Sequence, residues 1–398
     1  MRLDRLSGLL MTLLALWFCP PPPARATLIP RSGDALLTSD FHELSLSCPA
    51  VAVGADGAAV TVWTRTTNFR GPVLSRRVET DGTIGPEIQL SDDGELASNP
   101  GIVAMEGGYV AFWTRDAFPP GSPFGPTGTV VRFLDAHGMP ADIARIADDE
   151  ADSRVVAVGD RLAIVTRHDF GLRLRLIDRQ GADVYAPRQF ATSPDVLFSF
   201  ALASDGEGGV VIAWQVNVQL GGGLKAQAFD AAGQPRSKPV VVARSVFPGT
   251  ILHVAAGGGR FVVGWTEDRP NGVELRVFSL TGERLGAPRL PRATGSSPLR
   301  SQLLTDLVAA GPQGVMVVWN AMSRLGGQDL FAAGLEWDWE RTTRSTSLPA
   351  DRLGQQMCGR VATNGNGDWA AAWKEASADS STLLVTIEAR TFDGPLAD

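Results

Sequence analysis

The sequence predicts an all-β protein built from repeats, and three observations support this. A short apolar strand ending in tryptophan recurs along the chain, a glycine precedes most copies of it, and a second hairpin follows each copy. Helix-period patterns of apolar residues are almost absent. The composition is that of a folded chain, since 44% of the 398 residues are hydrophobic and 20% are charged. The net charge of −7, without blocks of like charge, argues against nucleic acid as a partner.

The strand ending in tryptophan defines the repeats. We call its last residue the marker, and the predicted markers are Trp63, Trp113, Val165, Trp214, Trp265, Trp319 and Trp373. Consecutive markers lie 49 to 54 residues apart, and only the third is not tryptophan. In all repeats but the sixth, a glycine stands six residues before the marker. A shorter apolar run before that glycine makes it the turn of a β-hairpin.

A second hairpin follows in each repeat and contains a recurring acid. An apolar residue and an acid close its first strand, as in Leu134-Asp135, and a glycine commonly follows three residues later. An acid that opens a four-residue turn closed by glycine is typical of a type I turn, in which the carboxylate caps backbone N–H groups. We therefore interpret the recurring acids as turn formers; they are Asp135, Asp178, Asp230, Asp338 and Asp393.

Each repeat thus reads as four antiparallel strands, A to D from the inside outwards. Strand B is apolar at nearly every position, which predicts that both of its faces are buried between two neighbouring sheets. Radial repetition of such blades around an axis is a β-propeller, here with seven blades. Residues 33–39 resemble a strand D and residues 383–392 a strand C that lacks its strand D. The N-terminal strand is therefore expected to complete the last blade and close the ring.

The first 26 residues predict an export signal. Arg2 and Arg5 precede an apolar run from Leu9 to Phe18, and the small residues Ala24 and Ala26 suit cleavage after residue 26. A permanent anchor or a lipid on Cys19 are the alternatives, although the apolar run is short for a membrane span. Residues 27–398 are then a single propeller domain, expected to be a monomer in the periplasm or outside the cell. No later apolar run reaches membrane-spanning length.

The repeats resemble those of a known group of proteins. A short run, an Asp-Gly or Gly-Gly turn, Val-x-x-Trp and then Phe-Asp-x-x-Gly are similar to the repeats of secreted bacterial β-propeller proteins, over residues 33–393. Residues 204–208 resemble the Asp-box of sialidases, but in the A–B turn instead of the C–D turn. Residues 364–368 resemble the calcium loops of integrin-like propellers, in a single copy that holds one carboxylate. The resemblance implies the fold and leaves the function open.

Catalytic and metal-binding motifs are missing from the sequence. The histidines His42, His137, His168 and His253 are scattered without metal-ligand spacing. No nucleophile elbow, phosphate-binding loop or dinucleotide motif occurs. Sialidases use a tyrosine nucleophile, but Tyr109 falls within a strand B and Tyr185 near a strand D. The sequence therefore assigns no catalytic residue, no metal and no cofactor.

The connections between strands point to one rim of the ring as the binding surface. The B–C and D–A connections are long and differ between repeats, and all emerge on one side, which we call the loop face; the short A–B and C–D turns form the turn face. Charged residues just after the markers become candidate ligand-binding residues: Arg65, Arg115, Arg167, Glu267, Asp268, Lys374 and Glu375. The alternative is that they are ordinary exposed charges at strand ends.

Two classes of function fit this pattern. The first is a non-catalytic binding propeller that recognises a glycan, a peptide or an envelope partner on its loop face. The second is a carbohydrate hydrolase or lyase, in which arginines would hold the carboxylate of an acidic glycan while acids transfer protons.

The two cysteines of the predicted mature chain occupy equivalent positions. Cys48 and Cys358 each lie nine residues before a hairpin glycine, in the first and seventh repeats. These repeats are neighbours only if seven blades close the ring. In an exported protein the pair is expected to form a disulfide across the closure, and two buried thiols are the alternative.

Overall fold

The computed structural model describes most of the chain as β-structure. The described residues are 29–31, 34–40, 46–65, 71–116, 127–146, 153–168, 171–191, 199–216, 222–247, 250–267, 272–288, 302–309, 314–322, 328–338, 345–349, 355–379 and 382–393. The predicted export signal, Cys19, His42, Asp268 and most of the variable connections lie outside these ranges. None of the described residues forms a helix long and apolar enough to cross a membrane.

Seven antiparallel sheets follow one another along the chain, each with four blade strands. Strand A of blades 1 to 7 comprises Ala50–Val53, Ala97–Met105, Ser153–Val158, Phe200–Ser204, Leu252–Gly257, Gln302–Ala309 and Gln355–Thr363. Strand B comprises Ala59–Thr64, Gly108–Asp116, Arg161–His168, Val210–Gln215, Arg260–Thr266, Gly314–Met322 and Asp368–Asp379. Strand C comprises Val73–Val78, Thr127–Asp135, Gly171–Ile177, Leu224–Phe229, Val273–Ser279, Gln328–Glu336 and Thr382–Asp393. Strand D of blades 1 to 6 comprises Ile88–Gln89, Pro140–Ile146, Arg188–Phe190, Val240–Ala243, Arg284–Gly286 and Thr346–Ser347.

The N-terminal strand completes blade 7, as the sequence predicts. Ala35–Asp40 pairs antiparallel with strand C of that blade, with Ala35 opposite Ala389. A shorter strand that the sequence did not predict, Ile29–Pro30, pairs with the end of the same strand C. Each strand A contacts the strand A of both neighbouring blades, including blades 7 and 1. The chain is therefore a closed seven-bladed β-propeller.

Strand B supplies the core between blades. All six residues of this strand are buried in blade 1 and again in blade 4. The tryptophan at the marker faces the preceding blade; Trp265, for example, packs in one cluster with blade 4. Trp63 in the same way packs against Ile387 and Ala389 of blade 7. Blade 1 thus covers blade 7 with the same tryptophan contact that blade 5 makes with blade 4.

The third repeat departs from the predicted register, because Thr166 and not Val165 holds the marker position. Thr166 pairs with the first residue of strand A, as the marker Trp265 does in blade 5. Val165 packs towards blade 4, whereas a marker packs towards the preceding blade. Counting from the glycine failed because Gly159 is the first of two turn residues in blade 3, whereas Gly259 is the second in blade 5.

The recurring acids behave as turn formers where the structure describes their turns. The Oδ1 atom of Asp135 accepts hydrogen bonds from the N–H groups of His137 and Met139, at 2.8 and 2.9 Å. Asp178 and Asp230 accept the same pair of bonds two and four residues on. These carboxylates therefore hold the C–D turns on the turn face.

The disulfide predicted between Cys48 and Cys358 is present. The Cα atoms of the two residues are 5.3 Å apart, and 310 positions separate them in the sequence. Each cysteine lies near the start of its inner strand, at a break in the regular strand pairing. The residue before it, Ser47 or Met357, pairs with the residue that follows the marker, Thr64 or Lys374. The bond joins the first and last inner strands across the closure between blades 7 and 1, which we call the seam.

Loss of this disulfide should destabilise the ring. A bond that closes so long a loop is worth about 6 kcal/mol in the loop-entropy model, and the measured cost of removing a native disulfide is usually about 2–5 kcal/mol. We expect the free energy of unfolding of a Cys48→Ser/Cys358→Ser variant to be lower than that of the wild type by about 2–5 kcal/mol, measured by urea denaturation.

The oxidised wild type, denatured without reductant, should expose no reactive thiol in the mature chain and two after reduction. Two reactive thiols before reduction would contradict the bond.

Candidate functional site in the central channel

One layer of the inner strands collects charged and polar residues from four blades. At this layer, each strand A residue pairs with the residue just before the marker of its own blade. Blades 3, 5, 6 and 7 carry Arg154, His253, Asp306 and Arg360 there. Blades 1, 2 and 4 carry only Ala50, Gly101 and Ala201. We call the four larger residues the channel cluster, because strand A lines the axis of the ring.

Asp306 lies at the centre of the channel cluster. Its Oδ1 atom is 3.5 Å from Nδ1 of His253 and 3.8 Å from Nη1 of Arg360. The same carboxylate accepts backbone hydrogen bonds from the N–H of Leu307, at 2.9 Å, and from the N–H of Val361, at 3.0 Å. Val361 belongs to the inner strand of blade 7, so one side chain ties together the inner strands of blades 5, 6 and 7.

The two arginines form the accessible part of the channel cluster. Arg360 is 38% exposed and donates to the carbonyl oxygen of Thr305 at 2.5 Å. Arg154 is exposed, and its guanidinium carbon lies 5.4 Å from the ring centre of Phe200 in blade 4. His253 and Asp306 are largely buried, with side chains 11% and 15% exposed. The guanidinium groups are therefore the charges that a molecule in the channel meets first.

His253 is held neutral in this environment. Burial keeps the pKa of its imidazole below the ordinary value, and the hydrogen bond to Asp306 opposes that effect without cancelling it. The positive charges of Arg360 and Arg154 also lower the pKa of His253. The Nε2 atom is buried and has no hydrogen-bond partner among the described residues.

Of the arginines predicted as ligand-binding residues, Arg65 and Arg115 face the preceding blade. Arg65 forms an ion pair with Glu87 at 3.1 Å and donates to Oγ1 of Thr38 at 3.1 Å. Thr38 belongs to the outermost strand of blade 7, so Arg65 lies towards the outside of the ring. Arg167 directly follows the true marker of blade 3, and alternation along the strand turns it towards blade 4 instead. The three arginines do not share a face, and their role in binding stays a prediction.

The remaining predicted residues are distributed along the seam and in blade 5. Glu267 is half-buried, and its Oε1 atom lies 3.4 Å from Nε1 of Trp265. Lys374 is 9% exposed, and its ammonium group donates to the carbonyl oxygen of Leu46 in blade 1 at 3.1 Å. Glu375 is half-buried beside it, in the backbone pair with Gln356. Lys374 therefore links blade 7 to blade 1, and the structure does not describe Asp268.

Neither tyrosine lies at the loop face, where a catalytic nucleophile would be expected. Tyr109 is buried, and its hydroxyl donates to the carbonyl oxygen of Ala58 at 3.2 Å, beside the A–B turn of blade 1. Burial raises the pKa of Tyr109 to about 12. Tyr185 is 43% exposed near the C–D turn of blade 3, with the guanidinium carbon of Arg161 5.8 Å from its ring centre. Both lie towards the turn face.

The loop at residues 364–368 is built into the seam. Arg31 pairs with Oδ1 of Asp368 at 2.5 Å, and the Asn364 amide donates to Oδ2 at 2.6 Å. The same amide donates to the carbonyl oxygen of Gly54 in blade 1 at 3.2 Å. Arg31 and Asp368 also line a turn-face cavity of about 520 Å³. Protein donors thus engage both oxygens of the one carboxylate in this loop. Among the described residues, no group of three or more His, Cys, Asp or Glu could hold a metal ion.

The channel cluster was not predicted from the sequence, because its members lie in strand A and not after the markers. A signal was present: a charged or polar residue stands 12 or 13 positions before the marker in blades 3, 5, 6 and 7, where blades 1, 2 and 4 have only alanine or glycine. In blade 3 the count works only from the corrected marker, Thr166.

Lys374 should contribute to stability through its buried hydrogen bond. Replacing it with methionine keeps the apolar stem but leaves the Leu46 carbonyl without this donor, and we expect the free energy of unfolding to fall by about 1–3 kcal/mol. The exposed Lys238→Met is the matched control and should change stability by less than about 0.5 kcal/mol. Equal stabilities of the two variants in urea would contradict this role.

His253 should make stability depend on pH. Its folded-state pKa is below the unfolded value of about 6.5, so the unfolded chain binds the proton more readily. Its contribution to stability is therefore full above about pH 6.5 and is lost as the pH falls through the folded pKa. We expect the loss of unfolding free energy between about pH 8 and about pH 5.5 to be smaller in His253→Gln. An identical pH dependence in the two proteins would contradict the assignment.

Comparison with known proteins supports the fold. A scan against protein-family models finds no match, and no curated protein matches in sequence. A protein of unknown function from Dyadobacter fermentans is 9% identical, with a TM-score of 0.50 over 90% of this chain and 99% of that one. The subtype N10 neuraminidase-like protein of A/little yellow-shouldered bat/Guatemala/060/2010 is 9% identical over 78% and 97% of the two chains, with a TM-score of 0.48. The sialidase of Trypanosoma rangeli is 10% identical over 93% and 60%, with a TM-score of 0.47. At such identities the likeness concerns the fold alone, and by its seven blades the chain is a β-propeller.

Proposed function

We propose that this protein is an exported, non-catalytic binding propeller that recognises a glycan, a peptide or an envelope partner at the loop-face mouth of its central channel. The convergence of Arg154, His253, Asp306 and Arg360 in one layer carries this proposal. Arg154 and His253 are each the second residue of strand A, close to the end that emerges on the loop face. Charged side chains at the mouth of a rigid scaffold are a common basis of recognition.

Two features support export, the N-terminal segment and the disulfide. Residues 1–26 have the pattern of a cleavable signal, and the disulfide at the seam belongs to an oxidising compartment. Cleavage after Ala26 would leave Ile29–Pro30 and Ala35–Asp40 near the new N-terminus, free to pair with blade 7. We therefore place the mature protein, residues 27–398, in the periplasm or outside the cell.

The contacts of the Asp306 carboxylate favour a binding role over a hydrolytic one. A general acid or base needs a carboxyl group that can exchange a proton with the substrate. The oxygens of Asp306 are engaged by two backbone N–H groups and lie beside His253 and Arg360. Such a carboxylate is suited to positioning its neighbours, and the arginines are suited to holding a ligand.

The proposal is tested by screening the mature protein against glycan and peptide arrays, followed by titration of the best ligand. We expect Arg360→Gln and Arg154→Gln each to weaken binding by about ten- to hundredfold, because a hydrogen bond to a charged group is worth about 1.5–3 kcal/mol. The control is Arg284→Gln, an exposed arginine on the outermost strand of blade 5, and it should bind like the wild type.

The enzymatic alternative is tested on the same preparation. A panel of chromogenic glycosides should give no turnover. Turnover that disappears in Glu267→Gln would overturn the non-catalytic assignment, as would hydrolysis of an array ligand. Binding that is unchanged in both channel variants would show that the ligand sits elsewhere.

A further inference from the structure

We infer that the channel cluster is an oxyanion site, so that the ligand carries a sulfate, phosphate or carboxylate group, and that protonation of His253 strengthens its binding. The inference rests on the proposed function in that it names the chemical group the mouth recognises. It is carried by the charge, burial and register of the four residues.

The charge balance of the channel cluster is positive. With His253 neutral, Arg154 and Arg360 contribute two positive charges and Asp306 one negative charge. The Asp306 carboxylate is turned into the wall, where the backbone N–H groups of Leu307 and Val361 bond to it. These bonds hold the carboxylate in the wall beside Arg360, while the side chains of Arg154 and Arg360 stay accessible from the channel. An anion is the ligand that this arrangement attracts.

The register gives an anion room between the arginines. Blade 4 lies between Arg154 and His253 and carries only Ala201 at this layer. Arg154 in blade 3 and Arg360 in blade 7 stand at the same layer, and the positive charge of each lowers the pKa of His253. The four residues therefore come from four blades of one layer around the axis, and they do not form a row along a single blade.

His253 gives this site a dependence on pH. The charged groups that act on its imidazole are Asp306, Arg360 and Arg154. Asp306 faces Nδ1, and Nε2 is a buried nitrogen without a partner among the described residues. An anion next to the two arginines would offset their charge and favour the imidazolium. By linkage, the anion then binds more tightly where His253 is protonated, which means at lower pH.

The test is equilibrium dialysis of the mature protein with radiolabelled sulfate, at constant ionic strength, at about pH 8 and about pH 5.5. Sulfate keeps its charge over this range, so a change in affinity reports on the protein. We expect saturable binding of one sulfate per chain, with an affinity about three- to tenfold higher at the lower pH. A second series with acetate distinguishes a preference for tetrahedral anions from one for carboxylates.

The variants separate the channel from the rest of the surface. Arg360→Gln and Arg154→Gln should each lower the affinity for sulfate at least tenfold, and Arg284→Gln should not change it. His253→Gln should keep the affinity measured at about pH 8 and lose the gain at lower pH. Arg360 lies near the seam, so its variant is accepted only with a wild-type unfolding midpoint; Arg154, in blade 3, provides the second, independent variant.

Each outcome distinguishes this inference from the proposed function. No saturable sulfate or acetate binding, or binding equal in the wild type and both arginine variants, would overturn the oxyanion site. If an array ligand binds through the loop face and neither anion competes with it, the binding function stands and the oxyanion site is wrong. If sulfate binds through the arginines and no array ligand is found, the oxyanion site stands without the proposed recognition of a larger partner.

Discussion

The structure depends on the burial of strand B on both faces. A sheet whose second strand is mostly apolar and is buried at every position cannot expose either side to water, so each blade needs a neighbour before and after it. The marker tryptophans fill the gap towards the preceding blade, as Trp265 does against blade 4. An open row of seven such blades would leave two apolar faces uncovered. Closure into a ring removes both faces at once.

The seam is the place where this closure is made, because the strands of blade 7 come from both ends of the chain. The structure reinforces that junction with contacts of several kinds. Strand Ala35–Asp40 crosses to blade 7, the disulfide joins the inner strands, and Lys374 bonds to the Leu46 carbonyl. On the turn face Asn364 and Asp368 supply the equivalent contacts with Gly54 and Arg31. A loop that resembles a calcium site thus serves to join two blades.

The channel cluster arises from the free edge of strand A. The innermost strand of every sheet has no neighbour on its axial side, so its backbone groups and its polar side chains meet around the axis. Asp306 uses this position to bond the backbone of the next inner strand and to orient His253. Arg154 and Arg360 stand at the same layer of the inner strands, in blades 3 and 7. The Asp306 carboxylate therefore joins two blades and also belongs to the candidate binding site.

The sequence by itself determined the number of blades, the order of strands, the crossing of the N-terminal strand and the disulfide, because each follows from a pattern that repeats at a fixed period. Apolar strands and turn residues such as Asp135 impose local geometry wherever they occur. Only the tertiary structure decided which charges meet. A single residue of difference in the blade 3 turn moved the marker to Thr166, turned Arg167 to the other face of its blade and brought Arg154 into the layer of His253. Side chains alternate along a strand with a period of two, so a one-residue error in register reverses every assignment of faces.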